Sequence, residues 1–199
     1  MKRMADLTYP NRSAFCLRTT VFGTVALLWS VRGQEPAILR IVLSRPGNPA
    51  DEAVKRLFPG AAASSCREIG ILADQIEAFM AGEDIRFPLD AIRLDLCPVF
   101  QQRVLRAEHA IPRGSVSTYG LIARRLNNPN GARAVGSALA TNPFPIVIPC
   151  HRAIRSDGDL GGFQGGLAMK RALLEMEGIE FRDTRHVATR RFHYGGEST

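Results

Sequence analysis

The order of hydrophobic and polar positions divides the first half of the chain into short extended and helical segments. Residues 21–31 and 37–43 are rich in β-branched and apolar side chains and are separated by a polar stretch that contains a glycine. This pattern predicts two strands joined by a turn. Residues 1–20 show no clear periodicity, and residues 51–58 predict a short helix that ends at a Pro-Gly pair.

The clearest amphipathic helix of the first half is predicted over residues 68–80. Apolar side chains recur there three or four positions apart and therefore share one helix face, namely Ile69, Leu72, Ile76 and Phe79. A proline-flanked and partly extended connector follows at 84–98. We place an α/β structural domain with a small sheet at residues 1–96.

The second half predicts several helices separated by turns. The first covers residues 99–109, the second 117–126 with Ser117 as its cap, and the third 131–141. The second and third, joined by a tight turn, are typical of a helix-turn-helix. The last helix covers 167–177 and ends at a glycine. A mostly helical domain is therefore expected over 97–181, which makes the chain an α+β protein.

The net charge of +7 is unevenly distributed along the chain. Residues 1–100 hold 12 Lys and Arg against 11 Asp and Glu, whereas residues 101–199 hold 14 against 8. A basic half indicates a polyanionic partner, of which nucleic acid is the commonest. Residues 182–199 contain four arginines without periodicity and are expected to form a flexible basic tail.

The four cysteines are too sparse for a disulfide scaffold and form no CxxC pair. We therefore expect no metal site and a reduced, intracellular setting. The longest early apolar stretch, residues 25–29, is too short for a membrane span, and no segment reads as a signal peptide.

The most informative residues are Pro149-Cys150-His151-Arg152. They place a thiol beside an imidazole and a guanidinium, and such neighbours can lower the pKa of a cysteine and make it a thiolate nucleophile. The alternative is a buried, inert cysteine beside an unrelated histidine.

The helix over 131–141 consists mostly of small residues around a single long charged side chain, Arg133. Such a helix lets another surface approach its backbone closely. That surface is either a neighbouring helix, with Arg133 in solvent, or a DNA groove that Arg133 enters, and the helix alone does not decide between them.

Together these residues resemble the O6-alkylguanine-DNA alkyltransferase family, the methylated-DNA–protein-cysteine methyltransferases. The resemblance covers residues 100–180. It includes Phe100-Gln101, Ile111-Pro112-Arg113-Gly114, Ser117-Thr118-Tyr119-Gly120, Ala132-Arg133-Ala134-Val135-Gly136, Asn142-Pro143, Ile148-Pro149-Cys150-His151-Arg152, Gly161-Gly162-Phe163, Lys170 and Glu175-Met176-Glu177-Gly178.

The resemblance implies a ribonuclease H-like first domain and a winged helix-turn-helix-like second domain. It implies a single transfer of an alkyl group from O6-alkylguanine in DNA to Cys150, without a cofactor; O4-alkylthymine is a possible second substrate. His151 would deprotonate Cys150 through a water, Glu177 would orient His151 or share its proton, and Asn142 would fix the turn before Cys150. Tyr119 would donate its hydroxyl to the departing base, and Lys170 would support Tyr119 or the substrate.

The resemblance also implies that a monomer binds double-stranded DNA through the minor groove and rotates the damaged base out of the stack. Arg133 would fill the vacated space. The remaining DNA contacts would come from Ala132, Ala134, Gly136, Thr118 and Tyr119.

The expected substrate pocket departs from the family pattern at two positions. Phe163 replaces the more frequent tyrosine, and Gln164 replaces the more frequent serine. These changes bear on the size of the accepted alkyl group. The expected pocket residues are Phe163, Gln164, Gly165, Val147 and Ile148.

Three other functions compete with this interpretation. A non-transferring relative that binds alkylated DNA would lack the active cysteine, which is present here as Cys150. A thiol hydrolase would need neither Arg133 nor a basic surface. A transcriptional regulator with the same activity would need a further DNA-binding domain, for which 199 residues leave little room.

Overall fold

The computed structural model describes residues 13–33, 35–189 and 192–196, which form two compact units. The first contains the chain up to Cys97 together with Pro143–Val147. The second contains Pro98–Asn142 and the residues from Ile148 onward. The chain thus returns to the first unit for five residues, a crossing that the hydrophobic pattern does not indicate.

The first unit is built on a four-stranded sheet. Its strands, β1 (Ala14–Thr20), β2 (Gly23–Arg32), β3 (Glu35–Leu43) and β4 (Ala62–Ala63), lie in the order β3-β2-β1-β4. The first three are antiparallel neighbours, and β4 runs parallel to β1. Strand β1 is absent from the sequence prediction because only Phe15 of its residues is fully buried, which leaves too weak an alternation.

Two helices complete the first unit. They are α1 (Ala50–Leu57) and α2 (Arg67–Met80), and α2 buries the four apolar residues that the periodicity predicts. One core cluster joins the sheet to α1 and contains Phe15, Ala26, Leu28, Leu39, Ala50 and Val54. Strand β3 is at the sheet edge, where the Ile41 backbone N–H donates to the Pro143 carbonyl at 2.8 Å.

The second unit is mostly helical. It contains α3 (Val99–His109), α4 (Tyr119–Arg125), α5 (Ala132–Ala140) and α6 (Leu167–Met176). Two short parallel strands, β5 (Ser117–Thr118) and β6 (Ala153–Ile154), pair beside them. Within the described part of the chain, none of the helices has both the length and the apolar character needed to cross a membrane.

Helix α4 is capped by Thr118, so the prediction of Ser117 as its cap is wrong. The Thr118 hydroxyl oxygen accepts the Leu121 backbone N–H at 3.1 Å. Ser117 instead donates its hydroxyl to the His193 carbonyl at 2.7 Å. Either residue type caps a helix well, and the pairing of β5 with β6 selects the second of the two.

The C-terminal segment, meaning residues 182–189 and 192–196, is packed against the second unit, contrary to the expected flexible tail. Val187 is buried in a cluster with Val116, Ile154, Leu160, Leu174 and Ile179. The backbone N–H of His193 donates to the Val116 carbonyl at 2.8 Å, and the Tyr194 hydroxyl donates to the Ala107 carbonyl at 2.9 Å. A few isolated apolar residues anchor the segment although they form no periodic pattern.

Candidate active site

Cys150 begins a single 3-10 turn, Cys150–Arg152, and is only 6% exposed. The carbonyl of buried Ile148 fixes this turn, because it accepts the Cys150 backbone N–H at 2.7 Å and the Asn142 side-chain amide at 3.3 Å. Asn142 therefore holds the backbone before Cys150, as the resemblance implies. Val147, the other apolar pocket residue expected here, is buried and belongs to the first unit.

Burial dominates the acidity of the Cys150 thiol and raises its pKa to about 11. A hydrogen bond from the Asn142 side chain and the charge of Lys170 act in the opposite direction, but they are weaker. The expectation that the pKa of Cys150 is lowered overall is therefore wrong, because burial outweighs these groups. Cys150 is a thiol at neutral pH, and a base must take its proton during any nucleophilic reaction.

A buried carboxylate lies directly beside the residues that follow Cys150. Glu177 accepts from His151 Nε2 at 2.9 Å, and from Arg152 Nε at 2.9 Å and Nη2 at 2.7 Å. A further nitrogen of Arg152 donates to the Ile111 carbonyl at 2.7 Å. The guanidinium is thus directed at Glu177, which explains why Arg152 does not act on the thiol as the sequence suggests.

The protonation states of this cluster suit a general base. Burial alone would raise the pKa of Glu177, but hydrogen bonds from His151 and Arg152 outweigh it and lower the pKa to about 2. Burial lowers the pKa of His151, although Glu177 acts in the opposite direction. A neutral imidazole that donates from Nε2 to Glu177 presents Nδ1 as its acceptor nitrogen. His151 can therefore take a proton at neutral pH.

Lys170 of α6 is fully buried and uses its ammonium group to hold a loop. Its three donors reach the carbonyls of Ala153 at 2.6 Å, Leu160 at 2.5 Å and Gly162 at 3.2 Å. Burial lowers the pKa of Lys170 to about 8. These hydrogen bonds go to backbone, so Lys170 supports the loop that ends at Gly162.

Tyr119 begins α4, and its hydroxyl faces the same loop. Burial raises its pKa to about 12, so the hydroxyl keeps its proton and can donate it in a hydrogen bond. Gly161 adopts φ +64°, and a Cβ at this position would lie 2.7 Å from the Tyr119 hydroxyl oxygen. Both the backbone conformation and the close approach therefore require glycine.

The other expected pocket residues follow this loop in the chain. The Phe163 ring lies edge-on to His151, with the ring centroids 6.2 Å apart. Gln164 donates from its side chain to the Asn142 carbonyl at 2.5 Å. Gly165 is buried, and a Cβ there would lie 2.9 Å from the Phe163 ring. Gln164 thus links this loop to the turn before Cys150.

Glu108 is a buried acidic residue that the sequence analysis missed. It lies on the buried face of α3 with Val104 and Leu105, and no residue in the described ranges forms a geometrically acceptable hydrogen bond to either carboxyl oxygen. Burial raises its pKa to about 8, although the charges of Lys170 and Arg152 act in the opposite direction. The sequence signal that could have identified Glu108 is its position among the apolar residues of the α3 stripe.

Helix α5 presents a face of small side chains to solvent. Arg133 and Ala134 are exposed, Ala132 and Gly136 are half-buried, and a Cβ at Gly136 would meet nothing within 4 Å. Arg133 forms no ion pair with any residue that the structure describes. The helix buries its opposite side, so this face is open to a partner.

Neighbouring residues fix both helices of the predicted helix-turn-helix. Gln101 of α3 donates its side-chain amide to the Ala138 carbonyl at 2.9 Å and to the Thr141 hydroxyl at 3.0 Å, which holds the end of α5.

Thr118, an expected DNA contact, is buried as the cap of α4. Its side chain also borders an open cavity of about 590 Å³ that is lined by Arg124 and Phe192.

The cysteines in the described residues are free thiols. Among the same residues, no three His, Cys, Asp or Glu side chains are grouped so that they could hold a metal ion.

Known proteins are similar to this chain in sequence and architecture. Residues 99–179 match the family model described as the DNA-binding domain of 6-O-methylguanine DNA methyltransferase. Over 108 residues the chain is 47% identical to a methylated-DNA–protein-cysteine methyltransferase of Methanothermobacter thermautotrophicus, covering 54% of this chain and 60% of that relative. The chain thus spans about 60% of the length of the relatives that match this shorter region.

Longer matches extend over most of the chain. The methylated-DNA–protein-cysteine methyltransferase of Mycolicibacterium paratuberculosis is 38% identical over 163 residues, which cover 79% of this chain and 90% of that relative. The solved structure of Mycobacterium tuberculosis OGT in complex with DNA is 34% identical with a TM-score of 0.60. That match covers 82% of this chain and 92% of the other. The neighbours share a mixed architecture of a small sheet and helices.

Proposed function

The chain belongs to the methylated-DNA–protein-cysteine methyltransferase family, and we propose that it repairs DNA by transferring the alkyl group of O6-alkylguanine to Cys150. One observation carries this proposal. A buried thiol is followed directly by a neutral imidazole, and Glu177 holds that imidazole at 2.9 Å. Nucleophile, base and orienting carboxylate are the components of an activated cysteine.

The transfer step forms one bond and breaks one. The sulfur of Cys150 attacks the alkyl carbon, the bond between that carbon and O6 breaks, and its electron pair stays on the departing guanine. The thiol proton goes to His151, and the guanine takes up one proton from its surroundings. The imidazolium formed is stabilised by Glu177. An alkyl thioether has no easy hydrolytic route back to the thiol, so each molecule acts once.

Tyr119 assists the departure of the base. Because its pKa is about 12, its hydroxyl remains protonated and donates a hydrogen bond to the guanine as negative charge develops there. Lys170 acts indirectly, because it holds the loop that places Gly161 against this hydroxyl.

The target atom lies within the base stack, so the nucleotide must rotate out of the duplex at a cost of a few kcal/mol. The small side chains on the exposed face of α5 suit the minor groove, which is only about 6 Å wide. In this arrangement Arg133 fills the space that the base vacates. The charge of +6 in residues 101–199 favours phosphate contacts that do not depend on sequence.

Arg133→Ala is expected to slow transfer from O6-methylguanine in duplex DNA by about tenfold, at the lower end of losses from misplaced substrates. Reaction with the free base O6-benzylguanine should be unchanged, because a free base needs no extrusion. Stopped-time mass spectrometry measures both rates. Arg106→Ala removes one exposed charge from α3 and is the matched control. Equal losses on both substrates would contradict the extrusion role of Arg133.

We also propose a specific fold for each of the two units. The strand order β3-β2-β1-β4, with β4 parallel to β1, supports a ribonuclease H-like first unit. Helices α4 and α5 with the short β5–β6 pair support a winged helix-turn-helix in the second. Cys150, His151, Glu177, Tyr119 and Arg133 all belong to this unit, so we propose that a monomer is sufficient.

Mass spectrometry after incubation with a duplex that contains O6-methylguanine tests the proposed function. We expect one added methyl group per chain, located in the peptide that contains Cys150. Binding of the duplex without mass change would instead indicate a damage sensor, and repeated release of methanol would indicate a thiol hydrolase. A parallel duplex with O4-methylthymine determines whether that base is a second substrate.

A further inference from the structure

We infer that the C-terminal segment positions Tyr119 for the transfer step, and that Arg185 is the residue through which it does so. The inference rests on the proposed function. Arg185 and Val187 of this segment lie beyond 99–179, the range that matches the family model. Arg185 touches neither the thiol nor the expected position of the base, so its role is positioning and not catalytic.

The C-terminal segment contacts the loop through a bidentate ion pair between Arg185 and the largely buried carboxylate of Asp159. Arg185 donates from Nε to Asp159 Oδ2 at 2.8 Å and from Nη2 to Oδ1 at 3.1 Å. The Asp159 side chain is only 9% exposed, and hydrogen bonding from Arg185 lowers its pKa. A paired guanidinium–carboxylate contact fixes both position and orientation.

The backbone of the C-terminal segment pairs with the same loop. The Leu160 N–H donates to the Arg185 carbonyl at 3.0 Å, and the Val187 N–H donates to the Gly158 carbonyl at 3.1 Å. Val187 is buried below this pairing. Two backbone hydrogen bonds, one ion pair and one apolar anchor therefore hold residues 158–160 from one side.

Asp159 carries this restraint one step further along the loop. Its Oδ1 accepts the Gly161 N–H at 2.8 Å, so Arg185 and Gly161 share one carboxylate. Gly161 is the residue that faces the Tyr119 hydroxyl, with no room for even a Cβ between them. A shift of Asp159 therefore changes the space in front of the hydroxyl.

The composition of this loop makes an external restraint necessary. Positions 158, 161 and 162 of this loop are glycine, as are positions 165 and 166 just after it, and glycine has the largest backbone freedom to lose. Lys170 restrains the loop through the Leu160 and Gly162 carbonyls. Arg185 restrains it from the Asp159 side, so loss of either contact removes one of the restraints that keep Gly161 in place beside Tyr119.

Arg185→Ala and two comparison variants test the inference in the full-length chain. Arg182→Ala is the matched control, because it removes the same charge from an exposed residue three positions away, whose guanidinium donates to the Asp157 carbonyl at 3.3 Å and does not pair with the Asp159 carboxylate. Asp159→Ala removes the shared carboxylate. Two rates are measured for Cys150, one with an O6-methylguanine duplex and one with iodomethane, whose iodide leaves without a proton donor.

We expect Arg185→Ala to slow transfer from DNA by at least about tenfold and to leave the iodomethane rate unchanged. Asp159→Ala should show the same split, and the double variant should be no slower than the slower single one, because both act through one contact. Arg182→Ala should match the wild type.

Two outcomes would overturn the inference alone, both with a wild type that transfers the methyl group. In the first, Arg185→Ala behaves like Arg182→Ala. In the second, Arg185→Ala slows the reactions of Cys150 with the duplex and with iodomethane equally, which indicates a general loss of site structure. A wild type that transfers no methyl group would instead overturn the proposed function, and this inference with it.

Discussion

Cys150→Ser is expected to abolish methyl transfer, with a rate loss of at least about a thousandfold. A serine hydroxyl is a weaker nucleophile toward alkyl carbon and is harder to deprotonate than a thiol. Burial already raises the pKa of Cys150 to about 11, so its thiol is hard for His151 to deprotonate. A serine hydroxyl is less acidic still, and His151 should not deprotonate it. Binding to methylated duplex should persist, because the phosphate and groove contacts proposed above do not involve the sulfur.

Cys97→Ser is a close control for this prediction. Cys97 is also buried, and burial raises the pKa of its thiol to about 11 as well. The two thiols thus share burial and acidity, but only Cys150 is followed by His151. Mass spectrometry should find the methyl group on Cys150 alone, and Cys97→Ser should transfer normally. Stoichiometric methylation of the Cys150→Ser chain would show that the acceptor is another residue.

Glu177→Gln is expected to have the second largest effect, on both transfer and stability. The amide keeps the shape but loses the charge that neutralises Arg152 and stabilises the protonated His151. Leaving a buried cation unpaired costs about 3–5 kcal/mol of unfolding free energy. Transfer should slow by about a hundredfold or more, since assistance by a general base contributes about 10² to 10⁴.

Urea unfolding and single-turnover rates at neutral pH separate the two effects of Glu177→Gln. In the double variant Glu177→Gln/Arg152→Met both charges are absent, so stability should largely return while transfer stays slow. Glu175→Gln removes a carboxylate that is 48% exposed from the preceding helix and should change little. Recovery of transfer in the double variant would show that Glu177 serves stability only.

The stability that Glu177 provides has a defined pH dependence. Its folded pKa of about 2 lies below the ordinary value of 4.5, so the folded state binds this proton less readily than the unfolded chain. The contribution is therefore complete above about pH 4.5 and is lost as the pH falls toward 2. Glu177→Gln should remove this part of the acid sensitivity.

Helices with strong periodicity and clear ends could be predicted from the sequence. The range 99–109 is confirmed residue by residue as α3, and the buried stripe of α2 is the predicted one. Strand β1 and the C-terminal segment lack such signals, because each contributes only one or two buried side chains to a core formed elsewhere. Ser117 and Thr118 are both suitable caps by residue type, and Ser117 instead bonds the remote His193.

The site shows a similar division. Motif resemblance suggested that Glu177 orients His151, and the structure brings the two within 2.9 Å. The residues next to Cys150 suggested a lowered pKa, but its pKa is raised. Adjacency in sequence shows neither the burial of the thiol nor that the Arg152 guanidinium is directed at Glu177. Glu108 and Asp159 could not be assigned from sequence, since their significance depends on Lys170 and Arg185, which are remote in the chain.

The return of Pro143–Val147 to the first unit limits where this chain can be divided into separate pieces. A gene fusion or recombination event that carried only the segment from Pro98 onward would take those five residues away from the strand edge where Ile41 binds Pro143. They immediately precede Ile148, whose carbonyl fixes the turn at Cys150. A chain that begins at Pro98 would therefore lack the strand edge that holds the residues just before the Cys150 turn.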